Sequence, residues 1–293
     1  MTKNATDPRW MDANGEPLDE EDRGLVYDVR TLVNRRAALG LFGGVAVTTL
    51  LAACAPEATS SSPTATATPT DPATPTPTAT ADSTGPLTEV PDETAGPYPG
   101  DGSNGINVLD DSGIVRRDIR SSFGSSTTTA QGVPLEIRLT VRDAATGAIL
   151  PGAAVYLWHC NNQGQYSLYS SGLENENYLR GVQQVDDAGT VTFTSIFPGC
   201  YDGRWPHIHF EVYSDVATAV ASGPIVKTSQ IALPQEACAA VYATTGYEQS
   251  TSNLSRTSLS SDNVFGEDGG IHQLATMSGT AATGFTASLT IAV

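Results

Sequence analysis

Residues 207–213 read HIHFEVY, and the fold turns on how that stretch is read. His207, His209, Glu211 and Tyr213 alternate with Ile208, Phe210 and Val212. A period of two belongs to a strand, whose successive side chains point to opposite faces. One face is apolar and suited to a core. The other presents two imidazoles, a carboxylate and a phenol together. The chain has only 4 histidines, so a pair on one strand face calls for a reason. Such a pair can hold one metal ion, or it can be two polar residues on a solvated sheet face. The stretch alone does not choose.

Working outward, strand signals dominate. LEIRLTVRD at 135–143 places Leu135, Ile137, Leu139 and Val141 on one face and Glu136, Arg138, Thr140 and Arg142 on the other. DAATGAIL at 143–150 reads as a turn. AAVYLWHC at 153–160, TVTFTSIF at 190–197 and GFTASLTIAV at 284–293 are further β-rich runs. One short helix is expected in PQEACAAVYATT, 234–245, opening on a proline. Many short strands separated by Gly and Pro turns predict an all-β fold, an antiparallel β-sandwich with long loops and little helix.

That domain is expected over residues 89–293. Before it, VNRRAALGLFGGVAVTTLLAAC (33–54) sets Arg35 and Arg36 ahead of an uncharged run that ends in small residues and Cys54. Basic pair, apolar run and small-residue site in that order read as a secretory signal, residues 1–53. The order resembles a twin-arginine (Tat-type) leader ending in a bacterial lipobox, which implies lipidation at Cys54. An uncleaved membrane anchor is the other reading of the same run; both place the remainder outside the cytoplasm. Residues 54–88, rich in Pro and Thr, have too little apolar surface to offset the entropy of ordering and read as a disordered tether. With 15 basic against 32 acidic residues, a net charge of −17, the chain would be repelled by phosphate backbones, and no nucleic-acid partner is expected.

The neighbours of the paired histidines point to chemistry. CYDGR (200–204) is a turn that can bring Tyr201 back to the same face, and Tyr166 follows a strand and a turn in LWHCNNQGQYS (157–167). Phenolate is a hard, anionic donor, and two phenolates beside two imidazoles favour Fe(III).

At this point the chain resembles the intradiol ring-cleavage dioxygenases, the catechol and protocatechuate dioxygenase group. The blocks that carry the likeness are ETAGPYPGDG (93–102), PGAAVYLWHCNNQGQYS (151–167), RGVQQVDDAGTVTFTSIFPGCYDGRWPHIHFEVY (180–213) and TSQIALP (228–234). The forms LWHC, PGCY and RWPHIHFEVY look most like the exported branch. The resemblance implies a non-haem Fe(III) held by Tyr166, Tyr201, His207 and His209. It implies that Tyr201 leaves the metal when a catechol binds and takes up one of its protons. Arg204 would stabilise negative charge on the ring carbon that O2 attacks, Gln230 would assist at the same carbon, and Tyr98 would line the substrate pocket. The implied reaction opens a small aromatic diol between its hydroxyl-bearing carbons with O2, giving a cis,cis-muconate-type diacid.

Competing readings remain at this stage. A sandwich lipoprotein could bind a small aromatic or a carbohydrate without turnover, and His207 and His209 could hold zinc with a carboxylate such as Asp202. His159 reads as structural, and nothing is assigned to His272. With Cys54 given to lipid, Cys160, Cys200 and Cys238 leave room for one disulfide in an oxidising compartment.

Overall fold

The structure, a computed structural model, describes residues 85–293. The expected leader, the lipidation site Cys54 and all but the last residues of the expected tether lie outside the described residues.

β1 (Pro134–Arg142) shows the alternation read from the sequence: Leu135, Ile137, Leu139 and Val141 are buried, and Arg138 faces solvent. It sits inside a four-stranded sheet ordered β4-β1-β8-β7, with β4 at Thr190–Ile196, β7 at Thr276–Thr280 and β8 at Gly284–Ala292. The second sheet has the order β3-β2-β5-β6, from Arg180–Gln184, Ala154–Trp158, His207–Tyr213 and Ile225–Ala232. The result is the expected all-β sandwich. Its strands pair antiparallel except where β8 runs parallel to β1, Leu135 opposite Phe285. Helix is confined to short pieces: α1 (Val216–Val220), capped by Asp215 on the Thr218 amide, the expected α2 (Gln235–Tyr242), and α3 (Glu248–Leu254). None of these is long and apolar enough to cross a membrane.

The core between the sheets takes Ile137, Leu139, Phe193 and Ile291 from one side and Val155, Leu157, Ile208, Phe210 and Ile231 from the other. Burying each such side chain contributes about 1.5–3 kcal/mol. The opposite face of the second sheet is also covered. There Tyr156, Trp158 and Val182 pack against Val108, Leu109 and Ile114 from the long segment ahead of β1. β5 is therefore buried along its whole length, and the histidine face is an enclosed, roofed surface.

The cysteine expectation needs correction. Cys160, Cys200 and Cys238 are all free and buried. Each sulfur faces a carbonyl: Gly199 O at 3.4 Å, Arg204 O at 3.5 Å and Leu233 O at 3.8 Å. They behave as small apolar side chains with a weak donor, so the ligand loops are braced by packing and hydrogen bonds instead.

Candidate metal centre and active site

Strand register assembles the first part of the site. On β5, His209 stands opposite Trp158 of β2 and Gln230 of β6, and His207 stands opposite Ala232. Directly opposed residues share a face, so both imidazoles and the Gln230 amide arrive together. The His209 ring lies flat on Trp158, with centroids 4.9 Å apart and planes 5° apart.

The tyrosines are brought in by loops. Asn161 gathers one turn by accepting hydrogen bonds from the Gln163 and Gln165 amides, and Tyr166 follows it. Pro198–Gly203 carries Tyr201. These loops meet through glycine. A Cβ on Gly199 would fall 2.7 Å from Asn162 O and 2.8 Å from Gly164 N, and one on Gly164 would fall 2.9 Å from the Tyr201 Cβ. Gly199→Ala is expected to force the Tyr166 and Tyr201 loops apart. It should cost about 1–3 kcal/mol by overpacking, read by thermal unfolding.

The four side chains converge. Tyr201 Oη is 3.1 Å from His207 Nε2, which is 3.1 Å from His209 Nε2. The Tyr166 ring centroid lies 6.0 Å from that of Tyr201 and 6.3 Å from that of His209. Tyr166, His207 and His209 are buried, while Tyr201 stays partly open. Nδ1 of His207 lies 2.5 Å from Trp205 O. A carbonyl only accepts, so Nδ1 holds the proton and Nε2 turns a lone pair toward the centre. Burial, and then the Arg204 charge for His207 and the His207 charge for His209, hold both imidazoles well below the usual histidine range. Neutral imidazole is the form that ligates a metal.

Two further features fit a cation at this point. Tyr166 Oη is buried with no hydrogen-bond partner, an arrangement that ordinarily costs about 1–3 kcal/mol. Burial pushes the Tyr201 phenol up to about 12 and the Tyr166 phenol well above its ordinary value. Both would stay protonated without a compensating charge, and a bound cation reverses that preference. The donor set of two phenols and two neutral imidazoles fits ferric iron. Asp202 does not join it: it pairs with Arg256 at 2.9 Å on the exposed surface. Among the described residues no three His, Cys, Asp or Glu side chains gather as a metal site, so the zinc reading has no third ligand of that kind.

Arg204 and Gln230 are also placed beside the centre. Arg204 is buried, donates Nη2–H to Gln230 Oε1 at 2.6 Å and pairs through Nε with Asp262 at 2.9 Å. Gln230 in turn donates to Thr94 O at 3.0 Å. Residues 93–99 complete the wall. Gly96 packs on His209, where a Cβ would lie 3.1 Å from the ring. The Tyr98 ring packs at a tilt against Tyr166, centroids 5.0 Å apart, and against Tyr169 at 5.1 Å, while staying 38% exposed. His159 is structural as expected, bound between Cys160 O and Ser195 Oγ at 2.8 and 2.7 Å.

Two supporting residues escaped the sequence reading. Arg180, at the head of β3, uses all its N–H groups on Ser167, Tyr156, Pro99 and Tyr98, and so ties the Tyr98 and Tyr166 loops together. A charge opening an apolar strand was its only signal. Asp262 had none, since its partner lies 58 residues away in the chain.

An all-β sandwich that brings two phenols and two imidazoles together at one point defines a class of site chemically suited to a hard cation. Known proteins agree. A family model described as Dioxygenase matches residues 120–222, which include Tyr166, Tyr201, Arg204, His207 and His209. The chlorocatechol 1,2-dioxygenase of Rhodococcus opacus is 36% identical over 63 residues, covering 22% of this chain and 24% of that protein. The chain thus aligns with about a quarter of that relative's length. The intradiol ring-cleavage dioxygenase from Tetranychus urticae superposes with a TM-score of 0.51 at 25% identity, over 62% of this chain and 87% of that one. Over these residues the chain is similar to the intradiol ring-cleavage dioxygenases.

Proposed function

We propose that this protein is an extracytoplasmic non-haem Fe(III) dioxygenase. It opens catechol-type rings between their two hydroxyl-bearing carbons to cis,cis-muconate-type diacids. The observation that carries the reading is the convergence of Tyr166, Tyr201, His207 and His209, with the Tyr166 hydroxyl left unpartnered in a buried site. Those four side chains would hold the iron. Bound there, ferric iron would supply the Lewis acidity that draws electron density from a chelated catecholate and readies the ring for O2.

The chain's own residues do the rest. Tyr201, the more open of the two phenols, would be held as phenolate by a cation bound beside it, and in that form its Oη would accept one catechol proton as general base. The Arg204 guanidinium offers fixed positive charge where negative charge develops on the ring carbon, and the Gln230 amide steadies it. Tyr98 presents its ring at the mouth and packs on the substrate face. The reaction balances as one diol plus one O2 giving one diacid, with no external reductant. Export and a lipid anchor at Cys54 are supported by Arg35, Arg36 and the LAAC run ahead of a Pro/Thr-rich stretch.

Purification after expression with ample iron tests the reading. One ferric ion per chain, a burgundy tyrosinate charge-transfer colour and catechol-dependent oxygen uptake are expected. A colourless protein that takes up iron elsewhere, or none, would overturn it. Removing the iron by chelation should abolish colour and oxygen uptake together, and ferric salt should restore both.

A further inference from the structure

Residues 86–96 belong to no helix or strand, so the contacts they make with the sandwich decide where they lie. The segment starts beside β8 and ends over the site. The Leu87 amide donates to Ala144 O at 2.8 Å and the Val90 amide to Ala292 O at 2.9 Å, with the Val90 side chain buried in the core. The chain then crosses to β6, the last strand of the second sheet. There the Glu93 amide donates to Thr228 O at 2.9 Å, and Thr94 O accepts from Gln230 at 3.0 Å. Further on, Gly96 lies against the His209 ring and the Tyr98 ring against Tyr166. The segment is a strap whose far end is one wall of the site.

At the crossing, one charged side chain meets it. Lys227 of β6 is 4% exposed, and its Nζ lies 2.6 Å from Glu89 Oε1 and 3.0 Å from Asp92 Oδ1. These two carboxylates stand on either side of Val90 in the chain and remain 56% and 78% exposed. The pairing is lopsided. Without the ammonium both carboxylates return to water at little cost, whereas the ammonium without them is a buried charge lacking a partner. The strap is therefore the movable side and Lys227 the fixed one. On the paired strands β5 and β6, Lys227 stands opposite Val212 and Gln230 opposite His209, so the anchor and the site share one frame.

Resting on the proposed reading of the site, we propose that Lys227 is a positioning residue for the reaction. By holding Glu89 and Asp92 it fixes the strap, so that Gly96 and Tyr98 stand in place before a ring arrives. Tyr166, Tyr201, Arg204, His207 and His209 lie on other elements. Loosening the strap thus weakens substrate binding and leaves the metal and the chemical step in place.

The test uses the full chain and the variant Lys227→Met, which keeps an unbranched side chain and removes the charge. Hydrogen exchange in peptides covering residues 87–99 should be about tenfold faster than in the unaltered chain, with β1 and β5 unchanged. In the iron-loaded protein, catechol titrated without oxygen should bind about tenfold more weakly, as expected for a strap docked about a tenth of the time. KM should rise with it while kcat stays within about twofold. Iron content and charge-transfer colour should not change. Lys227→Arg keeps the charge and should restore most of the affinity. Glu89→Gln combined with Asp92→Asn removes the charges from the strap side and should weaken catechol binding in the same direction. Unaltered catechol affinity in Lys227→Met would overturn the inference. So would a loss of kcat and iron at constant KM, faster exchange throughout the sandwich, or failure of both the Lys227→Met and the double variant to fold, since each would make Lys227 a support of the whole fold. If the unaltered, iron-loaded chain itself did not bind catechol, the reading of the site would fall, and the role of the strap in binding with it.

Discussion

Tyr166→Phe is expected to move two measurements in opposite directions. The substitution removes one atom, a buried hydroxyl oxygen with no hydrogen-bond partner, and keeps the ring that packs against Tyr98. In metal-free protein the change relieves an unsatisfied polar group, so stability should rise by about 1 kcal/mol, or about 2–4 °C in a domain of this size. Iron binding should respond the other way. With one anionic donor gone, affinity for Fe(III) should fall by more than about 100-fold, beyond the 10- to 100-fold typical of losing a residue behind a ligand. The charge-transfer colour should weaken and catechol cleavage should fall to a few per cent or less. Tyr201→Phe gives the contrast. Tyr201 Oη already has His207 Nε2 at 3.1 Å, so its loss should lower metal-free stability by about 1 kcal/mol. If Tyr166→Phe destabilises the metal-free protein and leaves iron content and rate unchanged, Tyr166 is an ordinary packing residue and the centre has been misread.

These two tyrosines show how far local pattern reaches. The period-two alternation of His207–Tyr213 was legible because a strand imposes it whatever surrounds it. The same holds for Leu135–Val141, where each apolar residue is buried as read. The ligands proposed for the site were named through blocks of residues that resemble a known family, since a loop has no periodicity from which Tyr166 or Tyr201 could be placed. The parallel β1/β8 pairing was not, because a strand's own sequence does not say which distant strand lies beside it. The two-sided burial of β5 was hidden for a related reason. Its roof comes from Val108, Leu109 and Ile114, about 100 residues upstream. The cysteines illustrate a limit of counting. Three thiols allow a bridge on count alone, but whether one forms depends on sulfur positions, and here each sulfur is met by a carbonyl. Arg180 and Asp262 act across turns and strands, through carbonyls and amides that every sequence contains.

Asp262→Ala carries the largest expected loss of stability. One Asp262 oxygen accepts from Arg204 Nε at 2.9 Å and from the Trp205 amide at 2.6 Å. The other accepts from the Val264 and Phe265 amides at 2.9 and 3.1 Å, and more distantly from Arg204 Nη2 at 3.4 Å. Removing the carboxylate strands three backbone amides and a guanidinium that is only 2% exposed. Breaking one side of a buried pair costs about 3–5 kcal/mol because the remaining charge is left without a partner, a fall of about 10 °C or more in melting temperature. The catalytic effect should be separable. Arg204 loses the partner that fixes its Nε edge and keeps only Gln230, so kcat should fall while iron content, set by other residues, is retained. Arg204→Ala alone should be milder for stability, since Asp262 keeps its three amide donors. The double variant should lose less than the two single losses added, the mark of a coupled pair. Asp262→Asn retains an acceptor without the charge and should fall between. A protein with Asp262→Ala that melts within a degree or two of the unaltered chain at full kcat would show that neither the fold nor Arg204 depends on this carboxylate.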